Sequence, residues 1–406
     1  MMSATTQPAL RQIRERPSAG ELVQNARDLV GLLAEESVRT EAAGRLSDRS
    51  AGALREAGFL SLFAPAEFGG READITTASE IFRYLAHGCG SSAWVAMLLS
   101  GGSYLAALLG DRARQEIWGS DAHAVVCGGF GMAQKAVRVA EGLQISGRWQ
   151  PLTGADHAQW ALVGVPVVDA EGTVVDRGMA LVPMAVATVE RTWQVAGMQG
   201  TGSNTVVIDS AVVPDHRILS LSKLLGGEYS ARYPHRSIYT APPIPFTAVT
   251  MPWPLIGMAE AALAGTLARL KAGKPMSGTI YTRAEDSPTV QLSVSDAAAS
   301  IETAKLHAAR AVQDVARNVA EGSAMPPEER ARIRMDVGTV SKNVRDAVGL
   351  LLDAGGSSSF TLDQPVQQIW RNIEVASRHQ LISYGLSREV YARSLFGAPT
   401  QVTALL

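Results

Sequence analysis

From Ala19 to about Gly119 apolar residues recur three and four positions apart, as in Leu22, Ala26, Leu29, Val30 and Leu33 and again in Ile81, Tyr84 and Leu85, which predicts helices. Glycines at Gly58 and at Gly69-Gly70 punctuate them. Between about Ala122 and Ser220 the period shortens. Runs rich in Val, Ile and Trp (AVVCGGF, KAVRVAEG, LQISGRWQ, WALVGVPVV, MALVPMAVATV, NTVVIDSAVV) are split by turn pairs such as Glu141-Gly142 and Arg177-Gly178. Six or more strands in an antiparallel barrel or sandwich are expected, without a long helix between them. After a Pro-rich passage, Ala241 to Pro254, the helical period resumes in LIGMAEAALAGTLARL and continues to the end. The pattern therefore predicts an α+β chain of three parts: an N-terminal helical domain over 1–121, a middle β-barrel domain over 122–235 and a C-terminal four-helix bundle over 236–406. Strands gathered in one middle block exclude a doubly wound sheet, a TIM barrel and a repeat array.

Composition narrows the partners. With 406 residues, 46% hydrophobic and 19% charged, the chain can bury a large core in more than one domain. Lys+Arg 37 against Asp+Glu 39 and the absence of a basic run argue against nucleic acid. Cys89 and Cys127 lack any CxxC or His-rich setting, so no disulfide framework and no metal site are expected. The first twenty residues hold no apolar leader core, and the apolar run Ala93–Leu109 is broken by Ser100-Gly101-Gly102-Ser103; a cytoplasmic protein without membrane spans is expected.

Two segments look like landmarks of a known family. Leu54–Phe59 leading to Pro65–Gly70 resembles the early helix-turn segment of the acyl-CoA dehydrogenase superfamily, and WQVAGMQGTGSNTVVIDSAVVP (193–214) resembles its β-domain signature. GRWQPLTGADHAQWALVG (147–164), AGGSSSF (354–360) and QIWRNIEVASRH (368–379) are more similar to the two-component monooxygenase branch, which includes phenol and aromatic-polyketide hydroxylases. The resemblance implies an acyl-CoA dehydrogenase-like fold and an oxygenase component that takes reduced FMN, with FAD as the alternative, and O2. Through a flavin hydroperoxide it would hydroxylate a phenolic or polyketide-like small molecule. No GxGxxG unit for a nicotinamide occurs, so a separate NAD(P)H-dependent flavin reductase would deliver the flavin by diffusion. Relatives assemble as dimers of dimers, and the Ala-, Val- and Leu-rich C-terminal helices fit a homotetramer.

The resemblance also assigns residues. Thr153-Gly154 would face the flavin ring edge, although such a pair also serves as a strand-end turn. By the same resemblance Phe130, Ser377 and Arg378 would be further flavin contacts. Arg283 in YTRAEDSPTVQL would hold flavin phosphate across a subunit contact, or remain a solvated loop arginine, since Glu285 and Asp286 crowd it. Gly355-Gly356 could bring backbone N–H groups to a phosphate or link two helices. Gly200–Ser203 would lie near the ring or form a turn. His379, in a helix starting near Pro365, is the catalytic candidate: titrating near neutrality, an imidazole can remove a phenolic proton.

Three competing functions remain open. An FAD-linked acyl-CoA dehydrogenase needs a carboxylate base, for which Glu374 and Glu389 are available but out of the usual context. Amine N-oxygenation, as on amino sugars, would use the same fold. A non-catalytic helical scaffold is the third. Many phenol-hydroxylating relatives place a histidine shortly after the helix holding Trp94; here Ser100–Ser103 stands instead.

Overall fold

A computed structural model describes residues 16–132, 134–233, 237–273, 275–400, 402, 403, 405 and 406. Residues 1–15, read above for a leader, lie outside these, as does the side chain of Phe130. Six helices come first: α1 (Ala19–Asp28), α2 (Val30–Ala43), α3 (Asp48–Ala57), α4 (Ile75–Gly88), α5 (Gly90–Ala107) and α6 (Asp111–Trp118). Their starts follow from capping: Ser18 accepts from the Glu21 N–H and Glu21 accepts from the Ser18 N–H, while Asp74 accepts from Thr77 to open α4. The Ser100–Ser103 interruption does not break α5, which runs through it. All of α5 is buried except Leu98 and Gly101. Among the described residues no helix is long and apolar enough to cross a membrane.

The middle block holds β1 (Val126–Met132), β2 (Lys135–Val139), β3 (Gly142–Leu152), β4 (Trp160–Val168), β5 (Val174–Pro183), β6 (Thr188–Glu190), β7 (Asn204–Val213) and β8 (Ile218–Ser220). They form two four-stranded sheets, ordered β1-β4-β5-β8 and β2-β3-β7-β6. One pairing departs from the antiparallel expectation: β1 and β4 are parallel. Between them the chain crosses into the second sheet for β2 and β3, and such a crossover is what a parallel pair requires. Trp149 of β3, fully buried, donates its indole N–H to the Gly164 carbonyl of β4 at 2.9 Å and ties the sheets together. The buried run Ala161–Val165 lies beneath α5, which explains its continuous rather than alternating hydrophobicity.

After the short α7 (Leu221–Leu225) come α8 (Pro243–Thr250), α9 (Pro252–Lys271), α10 (Pro288–Glu321), α11 (Pro327–Gly355), α12 (Pro365–Ala376) and α13 (Tyr384–Leu395). The Pro-rich passage is therefore not a linker. It holds α8 and the first turn of α9, because proline is tolerated at the start of a helix, where the missing N–H has no intrahelical acceptor. The helices α9, α10, α11 and α13 pack on one another, and α4 and α5 of the first part lie against α9.

Candidate active site

Between the first sheet, α5 and the turn after α12 lies a cavity of about 590 Å³. The two residues of α5 that escape burial, Leu98 and Gly101, both open onto it. A second cavity of about 360 Å³, between the turn after α7 and the α10–α11 turn, contains none of the residues singled out above. The larger one contains Thr153, Arg378 and His379, together with Thr201 and Ser203 of the Gly200–Ser203 segment.

Thr153 sits where β3 ends. Its Oγ1 lies 2.7 Å from Ser203 Oγ, which lies 2.8 Å from Thr201 Oγ1, and Thr201 donates to the Met198 carbonyl at 2.8 Å. A carbonyl only accepts, so one contact to it and two among the three hydroxyls fix every proton: Thr201 donates to Met198, Ser203 to Thr201 and Thr153 to Ser203. Thr153 thus keeps its oxygen lone pairs as the free end of the chain. The anchor is held firmly: Met198 has φ 57°, its N–H donates to Asn372 Oδ1 of α12 at 2.6 Å, and its carbonyl also accepts from the Trp193 indole at 2.9 Å. The Gly200–Ser203 segment is therefore both a turn and part of the cavity wall.

His379 lies not within α12 but in the turn beyond its end, its N–H bonded to the Ala376 carbonyl at 3.0 Å. No Gly or Pro marks that stop. The half-buried imidazole meets Trp94 of α5 edge-to-face, with centroids 6.0 Å apart. Leu381 donates its backbone N–H to His379 Nδ1 at 3.3 Å, which assigns the neutral ring its proton at Nε2. Burial, reinforced by the Arg334 guanidinium, pushes the imidazole down to about 4. The near-neutral titration expected above is thereby corrected: the ring is uncharged at neutrality, and its Nδ1 already accepts. A pH series of kcat/KM should show wild type and His379→Gln running parallel between about pH 5.5 and 7.5, with any His379-dependent loss near pH 4. A step near neutrality present only in wild type would show that the ring is not held down.

Of the other predicted residues, Gly154, Ser377, Arg283, Gly355 and Gly356 do not line the cavity. Gly154 is behind the wall: at φ 69° its added Cβ would fall 3.0 Å from Val95 Cγ1 and Leu99 Cδ1, so packing and backbone conformation explain the glycine. Ser377 is buried beneath the turn and reaches the Glu374 carbonyl at 3.5 Å. Arg378 is exposed at the cavity rim and pairs with Glu374 at 2.6 Å. The backbone of Phe130 lies in β1. Arg283 is half exposed and paired with Glu285, while Gly355 and Gly356 end α11, the Gly355 carbonyl accepting from Arg269 at 2.9 Å. None of Arg283, Gly355 and Gly356 lines the cavity. Sequence reasoning missed Trp94, Met97, Trp193 and Met198 as cavity residues; only the two tryptophans carried a usable signal, since large rings beside polar gaps often line sites.

Residues 249–384 match the family described as acyl-CoA dehydrogenase, C-terminal domain. The flavin-dependent monooxygenase oxygenase subunit HsaA of Mycobacterium tuberculosis is 29% identical over 92% of this chain and 94% of its own. The oxygenase component of the FADH(2)-dependent resorcinol hydroxylase of Rhizobium sp. is 29% identical over 98% of each. The structure of XiaF from Streptomyces sp., in complex with FADH2 and glycerol, superposes with TM-score 0.90 at 32% identity, covering 95% of this chain and 97% of XiaF.

Proposed function

This chain belongs to the acyl-CoA dehydrogenase superfamily, in its branch of two-component flavin-dependent monooxygenase oxygenase subunits, and from that premise we propose that the 590 Å³ cavity takes reduced flavin together with a phenolic or polyketide-like aromatic compound, whose ring it hydroxylates with O2. The observation that carries this reading is the meeting, in one cavity, of a hydroxyl chain ending in an acceptor at Thr153 and a neutral imidazole donor at His379.

The walls fit a flat heterocycle. Gly128, Gly129 and Gly131 of β1 line the cavity without side chains of their own, and a Cβ at Gly129 would stand 3.0 Å from Leu152 Cδ1. Thr153, an obligatory acceptor, suits the ring N–H that a flavin carries only when reduced. Bound reduced flavin supplies the electrons that convert O2 into an oxygen donor. The chain's own groups do the rest. His379 Nε2–H donates to the oxygen of a phenol that has left its proton to bulk water, and holds it in that ionised, ring-activating form; the role proposed is donor rather than the base expected above, because Nδ1 is already engaged. Trp94, Met97, Leu98 and Leu105 keep the space apolar and exclude water.

Both XiaF and the resorcinol hydroxylase are described with FADH2, which moves the preferred flavin from FMN to FADH2. The phosphate end would be held by Arg283 of a neighbouring subunit, with the Gly355-Gly356 backbone as a further phosphate contact. Leu292 and Leu306 of α10 and Phe360 and Leu362 beyond α11 are exposed, and a second copy would cover them in the proposed homotetramer.

Two alternatives lose support. Among the described residues no carboxylate lines the cavity: Glu374 pairs with Arg378 at 2.6 Å and Glu389 with Arg393 at 3.0 Å. Neither the base of an acyl-CoA dehydrogenase nor a counter-ion for an ammonium substrate is present there. The test is flavin supply. With NADH and a separate flavin reductase the protein should turn over phenols, whereas alone with flavin it should not oxidise NADH; NADH oxidation by the isolated protein at comparable rates would overturn the two-component assignment.

A further inference from the structure

Arg334 of α11 is 2% exposed, yet its donors end on neutral groups. Nη2 donates to the Gln380 carbonyl and Nη1 to the Leu405 carbonyl at 3.4 Å, while Nε has no partner. Among the described residues it has no ion-pair partner. A buried guanidinium without a counter-ion is costly, so its place asks for a reason.

The reason lies one peptide away. Gln380 and Leu381 share a single peptide unit. Its carbonyl accepts from Arg334 and its N–H donates to His379 Nδ1 at 3.3 Å. A cation on the oxygen polarises the peptide and strengthens the N–H as a donor. The same contact fixes the peptide plane, hence which imidazole nitrogen is occupied. The other charged groups around the turn are spoken for: Arg378 pairs with Glu374 at 2.6 Å, and Glu374 lies 3.3 Å from Arg345 of α11. From α5 the ring meets the uncharged Trp94.

We propose that Arg334 is a positioning residue for His379, acting through the Gln380–Leu381 peptide to hold the imidazole as the Nε2–H tautomer that faces the cavity. The direction of the His379 shift agrees, since Arg334 is the one charged group that contributes to it. The proposal rests on the donor role given to His379 only where turnover is concerned; its direct test does not need a substrate.

Whole protein labelled with 15N-histidine, without ligand, should show His379 with an unprotonated Nδ1 and a protonated Nε2, the signal being identified by its loss in His379→Gln. In Arg334→Met the two tautomers should mix and the imidazole pKa rise by about one unit. Arg334→Lys, which keeps charge and a donor, should retain the wild-type tautomer, and Arg334→Gln gives the charge-free comparison if the Met variant does not fold. An unchanged tautomer and pKa in Arg334→Met, or in Arg334→Gln in its place, would overturn the proposal. A wild-type ring protonated at Nδ1 would do the same. If the NMR result holds but phenols are not hydroxylated, the fault lies in the functional reading and not in the link between Arg334 and His379.

Discussion

Replacing His379 with Ala should lower hydroxylated product about 10- to 100-fold while folding and flavin affinity stay near wild type and O2 is still consumed, ending as hydrogen peroxide. The size follows from the bond removed. A hydrogen bond to a charged oxygen is worth about 1.5–3 kcal/mol, and about 1.4 kcal/mol corresponds to a tenfold change in rate. The flavin should be indifferent, because the cavity contacts assigned to it lie on Thr153 and the β1 glycines. His379→Gln, with an amide donor of similar reach, should recover part of the loss. Measuring product and peroxide against O2 consumed checks both parts. Equal product yields in wild type and His379→Ala would reduce His379 to a packing residue against Trp94.

The adjacent glycines of α5 should respond in opposite ways. A Cβ at Gly101 would meet only Thr247 Cγ2, at 4.0 Å, and would point toward the cavity. Gly101→Ala should fold as well as wild type or better, since alanine is favoured over glycine inside a helix by about 0.5–1 kcal/mol. Gly101→Phe fills the substrate space and should cost about 100-fold in kcat/KM for bulky phenols, a loss of binding and orientation. At Gly102 a Cβ would stand 2.1 Å from the Val126 carbonyl of β1, so α5 and the sheet would have to separate. Gly102→Ala should therefore destabilise by about 1–3 kcal/mol, as overpacking does, and lower the melting temperature. Thermal melts beside steady-state kinetics separate the pair. Destabilisation by Gly101→Ala matching that of Gly102→Ala would contradict the register of α5 on the cavity.

Much of the architecture was legible because it rests on period. The switch from helical spacing to short β-branched runs and back locates the three blocks, and glycines such as Gly58, at φ 79°, mark real stops. The parallel β1–β4 pair was not legible, since pairing depends on where the chain goes between strands. Nor was α8: prolines read locally as breakers, while their acceptability at helix starts emerges only with the helix in place. In the site, motif resemblance pointed to Thr153 and His379, which line one cavity. For Gly154 the backbone angle and the packing against Val95 and Leu99 already call for glycine, a requirement the motif alone does not display. Thr201 and Ser203 could not be tied to Thr153 from sequence, as a hydroxyl chain is a tertiary fact. Arg334 gave no signal at all: its meaning comes from lacking a carboxylate, which a linear sequence does not display.

Transfer of one atom of O2 to a phenolic ring in this cavity is the step on which the proposed function stands. It is tested most directly by incubating the protein with NADH, a separate flavin reductase, a panel of phenols and 18O2, and reading the products by mass. At least one phenol should gain a single 18O atom in a reaction that stops without the reductase and falls about 10- to 100-fold with His379→Ala. Products carrying oxygen from water, or none from any phenol while reduced flavin is consumed to peroxide alone, would contradict it.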